Sequence, residues 1–185
     1  MSRLSLKRHP DTPCAAIHSI AGFAKRDGNQ LWLQFRAIGN TEGIVWPLGD
    51  HENRNWTQQD GLWQHSCFEF FARAINGTRY FETNFATSNH WAAYDFVDYR
   101  TGMRKIENME MVGAVSTVWA NRAELSARLV IPSNLADKDW LGGLSAILEA
   151  KDGTKSYWAL AHPPGKPDFH HEACFATELP APRTS

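Results

Sequence analysis

Short runs of alternating apolar and polar residues recur along the whole chain. In the segment LWLQFRA, residues 31–37, the odd-numbered positions are apolar and the even-numbered positions include a glutamine and an arginine. The segment RAELSARLVI, residues 122–131, alternates in the same way. Successive side chains of a β-strand point to opposite faces, so each run predicts a strand with one buried face. Turn-forming sequences such as RDGNQ, INGTR and AKDGTK separate the runs and favour hairpins.

This pattern predicts an all-β protein of about nine to eleven strands with one short helix. Many short strands separated by glycine, asparagine and aspartate turns are typical of an antiparallel, jelly-roll-like β-sandwich. The helix is predicted in SNLADKDW, residues 133–140, with Ser133 as the candidate N-cap. The predicted strands are 13–24, 30–38, 43–47, 63–74, 78–86, 91–99, 111–119, 122–131, 143–150, 154–161 and 172–179.

Length and composition indicate one domain over residues 1–185, with loose tails at 1–10 and 180–185. The formal charge of −1 gives no electrostatic reason to expect a nucleic-acid or membrane partner. Three cysteines without CxxC spacing, and no apolar leader after the N-terminal charges, favour a cytoplasmic protein with reduced thiols. The oligomeric state stays open.

The segment GLWQHSCFEFF, residues 61–71, places ionisable side chains among large aromatic ones. Read as a strand, alternate residues from Trp63 onward share one face with Glu69. The next two predicted strands follow short turns, so we expect the three strands to pair as a meander. The polar and aromatic residues predicted to meet on one face of this meander are Trp63, His65, Glu69, Glu82, Asn84 and Tyr94.

Two segments of the chain carry a specific combination of motifs. The first lies within residues 62–103, where LWQHSCFEFF is followed by YFETNFATSNHWAAYDFVDYRTGM. The second is YWALAHPPGKPDFHHEACFATEL, residues 157–179, and together the two cover about a third of the chain. Both segments resemble the DOMON-like domain family. The resemblance implies a β-sandwich related to family 9 carbohydrate-binding modules and to the haem-binding domains of redox proteins. It therefore implies a module that binds a sugar or haem.

The residues favour a small, sugar-like ligand. Sugar rings pack their C–H groups on aromatic faces, while carboxylates and amides hydrogen-bond to the hydroxyls. We expect aromatic stacking from Trp63, Trp91 or Tyr94, and two histidines of the HPPGKPDFHH segment at the rim. The candidate ligand-binding residues are Trp63, His65, Glu69, Glu82, Asn84, Trp91, Tyr94, Trp158, His162 and His170. Structural roles stay open: both glutamates could be half-exposed strand residues beside Arg79 and Arg100, and Trp158 could belong to the core.

Three other functions stay open beside a non-catalytic sugar-binding module. A haem-binding domain would need axial ligands, such as a histidine with Met109 or Met111, and no CxxCH motif for covalent attachment occurs. A protein-interaction domain would expose a large apolar patch instead of a pocket. Glu69 and Glu82 could form a glycosidase-like carboxylate pair, but no nucleophile motif and no standard zinc spacing is present. We therefore expect neither an enzyme nor a metal site.

Overall fold

The structure, a computed structural model, describes residues 3–49 and 55–181. These residues form thirteen strands, one single-turn α-helix (α1, Ser133–Ala136) and three 3-10 turns at Thr41–Gly43, Leu62–Gln64 and Glu172–Cys174. The described helices are too short to cross a membrane. The strands are β1 Leu4–Arg8, β2 Ile17–Asp27, β3 Gln30–Gly39, β4 Thr57–Gln58, β5 Cys67–Ala74, β6 Tyr80–Ala86, β7 His90–Phe96, β8 Arg104–Lys105, β9 Glu110–Trp119, β10 Arg122–Val130, β11 Trp140–Glu149, β12 Lys155–Ala159 and β13 Thr177–Leu179.

The strands form one continuous, curled sheet in the order β4-β7-β6-β5-β11-β12-β1-β2-β3-β10-β9. β13 pairs with β11, and β8 pairs with β7. All these pairings are antiparallel except the short parallel one between β4 and β7. The prediction of a mostly β protein with one short helix is confirmed. The prediction of a purely antiparallel sandwich is not met in that form, because the sheet is mixed and continuous. Strand β1 joins its two halves, which are β4-β7-β6-β5-β11-β12 and β2-β3-β10-β9.

The two halves of the sheet pack against each other across one hydrophobic core. Phe35 on β3 stacks against Phe68 on β5, with ring centroids 5.1 Å apart. Trp140 on β11 packs edge-on against Phe81 on β6 at 4.9 Å. The same Trp140 ring lies 3.7 Å from the Arg26 guanidinium, which donates to backbone carbonyls. These contacts connect strands that are distant in sequence, so they fix how the sheet curls.

Strand β1 corrects the prediction of a loose tail at residues 1–10. Its first half, from Leu4 to Leu6, pairs with β2, and Lys7 and Arg8 pair with β12. The Leu6 side chain is buried in the core, whereas that of Ser5 is exposed. The segment appeared loose because only two apolar residues stand among its charges. In the predicted C-terminal tail, residues 182–185 lie outside the described part of the chain.

Other predicted boundaries were wrong as well. The strand predicted over 172–179 covers only Thr177–Leu179, because Glu172–Cys174 forms a 3-10 turn. The strand predicted from residue 63 begins only at Cys67, because Gly61 adopts φ +77° and starts the turn Leu62–Gln64. The predicted strand 43–47 is reduced to a single bridge between Ile44 and Ala150. Helix α1 stops at Ala136 and is preceded by Pro132, so Ser133 is not its N-cap.

We expect Leu6→Ala to lower the free energy of unfolding by about 2–5 kcal/mol, because it leaves a cavity where β1 joins the two halves. Ser5→Ala, on the exposed face of the same strand, is the matched control and should change stability by no more than ~0.5 kcal/mol. Urea denaturation followed by tryptophan fluorescence measures both. Equal, negligible effects would mean that residues 4–8 do not belong to the folded core.

Candidate functional site

The face of β5, β6 and β7 that points away from the core carries the candidate site. A second buried cluster covers this face, with Leu62 from the 3-10 turn and Phe169 and Phe175 from the segment after β12. A pocket of about 610 Å³ remains between the sheet and these covering segments. Its lining residues are Thr12, Trp63, Glu69, Phe71, Glu82, Phe96, Arg100, Met103, Ile147, Tyr157, Lys166, Pro167, Phe169 and His170.

Two buried glutamates form the polar floor of the pocket. Glu69 on β5 is 2% exposed, and its carboxylate accepts hydrogen bonds from the Cys67 thiol at 3.4 Å and the Ser145 hydroxyl at 3.1 Å. Glu82 on β6 is 5% exposed and accepts from the Asn84 amide nitrogen at 2.7 Å. Glu69 lies directly opposite Asn84 in the pairing of β5 with β6. The two carboxyls are therefore diagonal neighbours on one sheet face.

Burial changes the acidity of the groups on this floor. Desolvation raises the pKa of Glu69 and of Glu82 above the ordinary glutamate value, and repulsion from Glu82 adds to the effect at Glu69. Desolvation, together with the Glu69 charge, also raises the pKa of the Cys67 thiol well above its usual value. Cys67 is therefore a protonated hydrogen-bond donor and not a reactive thiolate.

Asn84 hydrogen-bonds to one of the two carboxyls but leaves one of its own atoms unpaired. Its side chain is fully buried, and its amide nitrogen donates to Glu82. The amide oxygen, Oδ1, has no hydrogen-bond partner among the residues that the structure describes. A buried acceptor without a donor is energetically costly, so this floor has an unused capacity to accept a proton donor.

A hydrogen-bonded group of four residues forms the rim of the pocket. The Arg100 guanidinium donates to Asp168 Oδ1 at 2.8 Å, and the Tyr99 hydroxyl donates to Oδ2 of the same carboxylate. Asp168 Oδ1 also accepts from the backbone N–H of His170 at 3.2 Å. Asp168 therefore fixes the covering segment to the Tyr99–Arg100 turn.

The tautomer of His170 follows from its neighbours. The Tyr80 hydroxyl accepts from the backbone N–H of Arg100 at 3.1 Å, so its own proton is available to His170 Nδ1, 2.8 Å away. With Nδ1 as the acceptor, the proton of the neutral ring lies on Nε2, which is 3.9 Å from Glu82. Burial, with the Arg100 charge, lowers the pKa of His170 to about 4. His170 is therefore a neutral donor facing the pocket at physiological pH.

Aromatic residues form the apolar walls. Trp63 is 36% exposed and packs edge-on against Tyr94, with ring centroids 5.6 Å apart. The Tyr94 hydroxyl donates to Asp60 at 2.8 Å, which holds this pair in place. Across the pocket, Tyr157 packs against Phe169 at 5.9 Å. The pocket thus has a half-exposed aromatic surface above a floor of hydrogen-bond acceptors.

The structure brings together six of the ten residues predicted from the sequence. Trp63, Glu69, Glu82 and His170 line the pocket. Asn84 hydrogen-bonds to Glu82, and Tyr94 supports Trp63. Trp63 reaches this face from the 3-10 turn and not from the strand that carries Glu69.

The four other predicted residues lie elsewhere. Trp91 and Trp158 belong to the core between the two halves of the sheet, because their strand parity opposes that of the pocket-facing residues. His65 is exposed, and its Nδ1 lies 2.7 Å from Glu149. His162 donates from Nε2 to the Lys7 carbonyl at 2.8 Å and packs edge-on against His9. These two histidines contact residues of β11 and β1 and do not line the pocket.

Several pocket residues were not predicted as ligand contacts. Arg100, Tyr157 and Phe169 line the pocket from three separate segments of the chain. The sequence predicts Arg100 only as a charged neighbour of the glutamates. Its φ of +51°, in the turn after β7, directs the chain back toward the site. The HPPGKPDFHH sequence was a usable signal for Phe169, since a proline-rich segment is an ordered loop.

The residues considered for metal or haem do not converge on this pocket. Over residues 3–49 and 55–181, no group of three or more histidine, cysteine, aspartate or glutamate side chains has the geometry of a metal site. Met109, one of the two candidate axial methionines, is buried in the core between the two halves of the sheet, and Met111 packs against the same core. Neither is among the pocket-lining residues.

The raised pKa of Glu69 predicts a pH dependence of stability. The folded state holds the Glu69 proton more tightly than the unfolded state, so the free energy of unfolding should fall as the pH rises above 4.5, the ordinary glutamate pKa. Glu69→Gln removes this ionisation and its repulsion of Glu82, so we expect a flatter dependence from pH 5 to neutral pH. Urea denaturation at several pH values measures the slope.

The control for this experiment is Glu110→Gln on the exposed edge strand β9, which should keep the wild-type slope. A Glu69→Gln slope equal to that of the wild type would show that Glu69 ionises normally in the folded protein. Because the comparison uses slopes, a uniform loss of stability in the variant does not affect the result.

Comparisons with known proteins identify similar folds. No family model matches the chain, and a search of curated proteins gives no relative. A candidate carbohydrate-binding protein from Bacteroides uniformis has a similar structure, with a TM-score of 0.65 and 13% identity, over 98% of this chain and 86% of that one. A family 9 carbohydrate-binding module from Caldicellulosiruptor kristjanssonii, solved with cellotriose, gives a TM-score of 0.51 and 10% identity, over 98% of this chain and 84% of that one. At these identities, the likeness is one of fold.

Proposed function

We propose that this protein is a non-catalytic binding module for a sugar-like ligand, held in the pocket between β5–β7 and the segment after β12. The observation that carries this proposal is the combination of a half-exposed tryptophan, Trp63, with two buried carboxyls on the floor of one 610 Å³ pocket. An aromatic surface with a few convergent polar groups is the arrangement expected of a small-molecule site.

The groups in the pocket match the surface of a sugar ring. The ring's C–H face would pack on Trp63, whose orientation is fixed by Tyr94. Its hydroxyls would donate to Glu69 and Glu82 and accept from the N–H of His170. The pocket therefore supplies acceptors, a donor and an apolar wall within the dimensions of one or two rings.

The fold comparisons support this proposal from a separate direction. The cellotriose complex shows that a protein of similar fold binds a short glucan. The protein from Bacteroides uniformis, whose fold matches almost the whole chain, is a candidate carbohydrate-binding protein. The residues of the pocket, and not the fold, are the reason for assigning a ligand here.

The placement of the carboxyls argues against glycoside hydrolysis. Hydrolytic carboxyl pairs flank the scissile bond from two sides. Glu69 and Glu82 project from the same sheet face, and Glu69 is held by both the Cys67 and Ser145 donors. These two groups are arranged to accept hydrogen bonds from a ligand and not to attack it from opposite sides.

We expect Trp63→Ala to weaken sugar binding about tenfold or more, because the ligand loses its aromatic surface. The measurement is a calorimetric titration with a panel of mono- and disaccharides that includes glucose and cellobiose. Trp32→Ala is the matched control. Trp32 is 39% exposed, close to the exposure of Trp63, but it lies on the other half of the sheet, where its ring packs against the Arg128 guanidinium.

Equal affinities in the Trp63 and Trp32 variants would contradict this assignment of the pocket. Thermal denaturation of both variants checks that they are folded. If no sugar of the panel binds the wild-type protein, the proposal of a sugar-binding module is wrong.

A further inference from the structure

The two glutamates on the pocket floor have no arginine or lysine of the described part of the chain bound to them. The lining cations are Arg100 and Lys166, and the Arg100 charge acts on both glutamates only at a distance. Arg100 is already paired with Asp168 at 2.8 Å and does not form an ion pair with either glutamate. The other lining cation, Lys166, is an exposed residue of the rim. The two floor carboxyls are therefore buried without a cation of their own.

Hydrogen-bond donors are also scarce on the floor. Asn84 lies opposite Glu69 and on the same sheet face as Glu82, and its buried amide oxygen, Oδ1, has no hydrogen-bond partner among the described residues. The donors on this floor, the Cys67 thiol, the Ser145 hydroxyl and the Asn84 amide, are already engaged. The floor has unused acceptors and lacks donors, so the complementary ligand group is one that carries several protons and a positive charge.

We propose that the preferred ligand carries a protonated primary amine on its sugar-like ring, which would make it an amino sugar, with the ammonium bound by Glu69 and Glu82. This inference rests on the proposed function and specifies its ligand class. An ammonium presents three donors, so it can serve both carboxylates and still hydrogen-bond to a third acceptor. Charge-assisted hydrogen bonds of this kind are about twice as strong as neutral ones.

The ammonium would take the place of a proton. Two carboxyls buried on one sheet face without a bound cation resist ionisation, which agrees with the raised pKa values of both. When a ligand cation arrives, both carboxyls can ionise, and the proton leaves to solvent. The titratable and charged groups that face this pair are Cys67, Tyr80, Tyr94, Arg100, Asp168 and His170.

Calorimetric titration of the wild-type protein at pH 7 with glucosamine, glucose and cyclohexylamine tests this inference. The experiment is run in two buffers that differ in ionisation enthalpy, so that proton release can be counted. We expect glucosamine to bind at least ~10-fold more tightly than glucose, the ratio that corresponds to about 1.4 kcal/mol. Glucosamine binding should also release a fraction of one proton, whereas glucose binding should release none.

Glu82→Gln and Glu69→Gln each remove one carboxyl charge at constant size. Either change should reduce the glucosamine-to-glucose affinity ratio toward one and abolish proton release. The control is Glu124→Gln on β10, where the carboxylate pairs with Arg36 in the other half of the sheet, and it should keep the wild-type ratio. If both pocket variants fail to fold, proton release by the wild-type protein still decides the question.

The outcomes separate this inference from the function on which it rests. Equal affinities for glucose and glucosamine, without proton release, would overturn the amino-sugar assignment and support the sugar-binding module. Binding of cyclohexylamine as tight as that of glucosamine would overturn the assignment, because the sugar hydroxyls would then contribute nothing. A wild-type protein that binds none of the three compounds would overturn both proposals.

Discussion

Strands β5 and β6 are buried on both faces over almost their whole length. One face packs against the other half of the curled sheet, where Phe68 meets Phe35 across the core. The opposite face carries Glu69, Glu82 and Asn84 and is covered by the 3-10 turn and by the segment after β12. Because side chains alternate along a strand, the position of every polar residue on the pocket floor is fixed by the aromatic residues of the core. A shift of one residue in register would exchange the two sets.

Burying carboxyls on such a face costs free energy, and the surrounding hydrogen bonds offset part of that cost. Glu69 has two neutral donors and Glu82 has one, while the nearest guanidinium is bound to Asp168. This arrangement keeps the carboxyls available to a ligand. A floor neutralised by its own arginines would have no remaining affinity for an incoming donor. In the proposed function, the stability lost at this face is the physical basis of ligand binding.

The rim is organised by a different set of contacts. Asp168 connects Tyr99 and Arg100 to the covering segment, and Tyr80 fixes the tautomer of His170. These residues come from β6, from the turn after β7 and from the proline-rich segment near the C-terminus. Since the rim residues are hydrogen-bonded to one another, the pocket is largely pre-organised. Little ordering free energy would then be lost on binding.

The sequence by itself determined the local features of this protein. The alternation of apolar and polar residues predicted the mostly β fold, the meander of β5 to β7, and the common face of Glu69, Glu82 and Asn84. Each of these depends on residues close together in sequence, where strand periodicity is sufficient. The choice between the two faces of a strand buried on both sides cannot be made from periodicity, which is why Trp91 and Trp158 were misassigned.

Only the tertiary structure decided which distant residues complete the site and which short segments are integral to the fold. Arg100 and Phe169 reach the pocket because the sheet curls and the covering segment folds back over it. The strand Leu4–Arg8 has too few apolar residues to be recognised, and its backbone pairing with β2 and β12 gives it its place. Trp63 faces the pocket through the turn at Gly61 and not through strand parity. In each case, long-range packing and backbone hydrogen bonds determine the result, and neither is encoded in the local pattern.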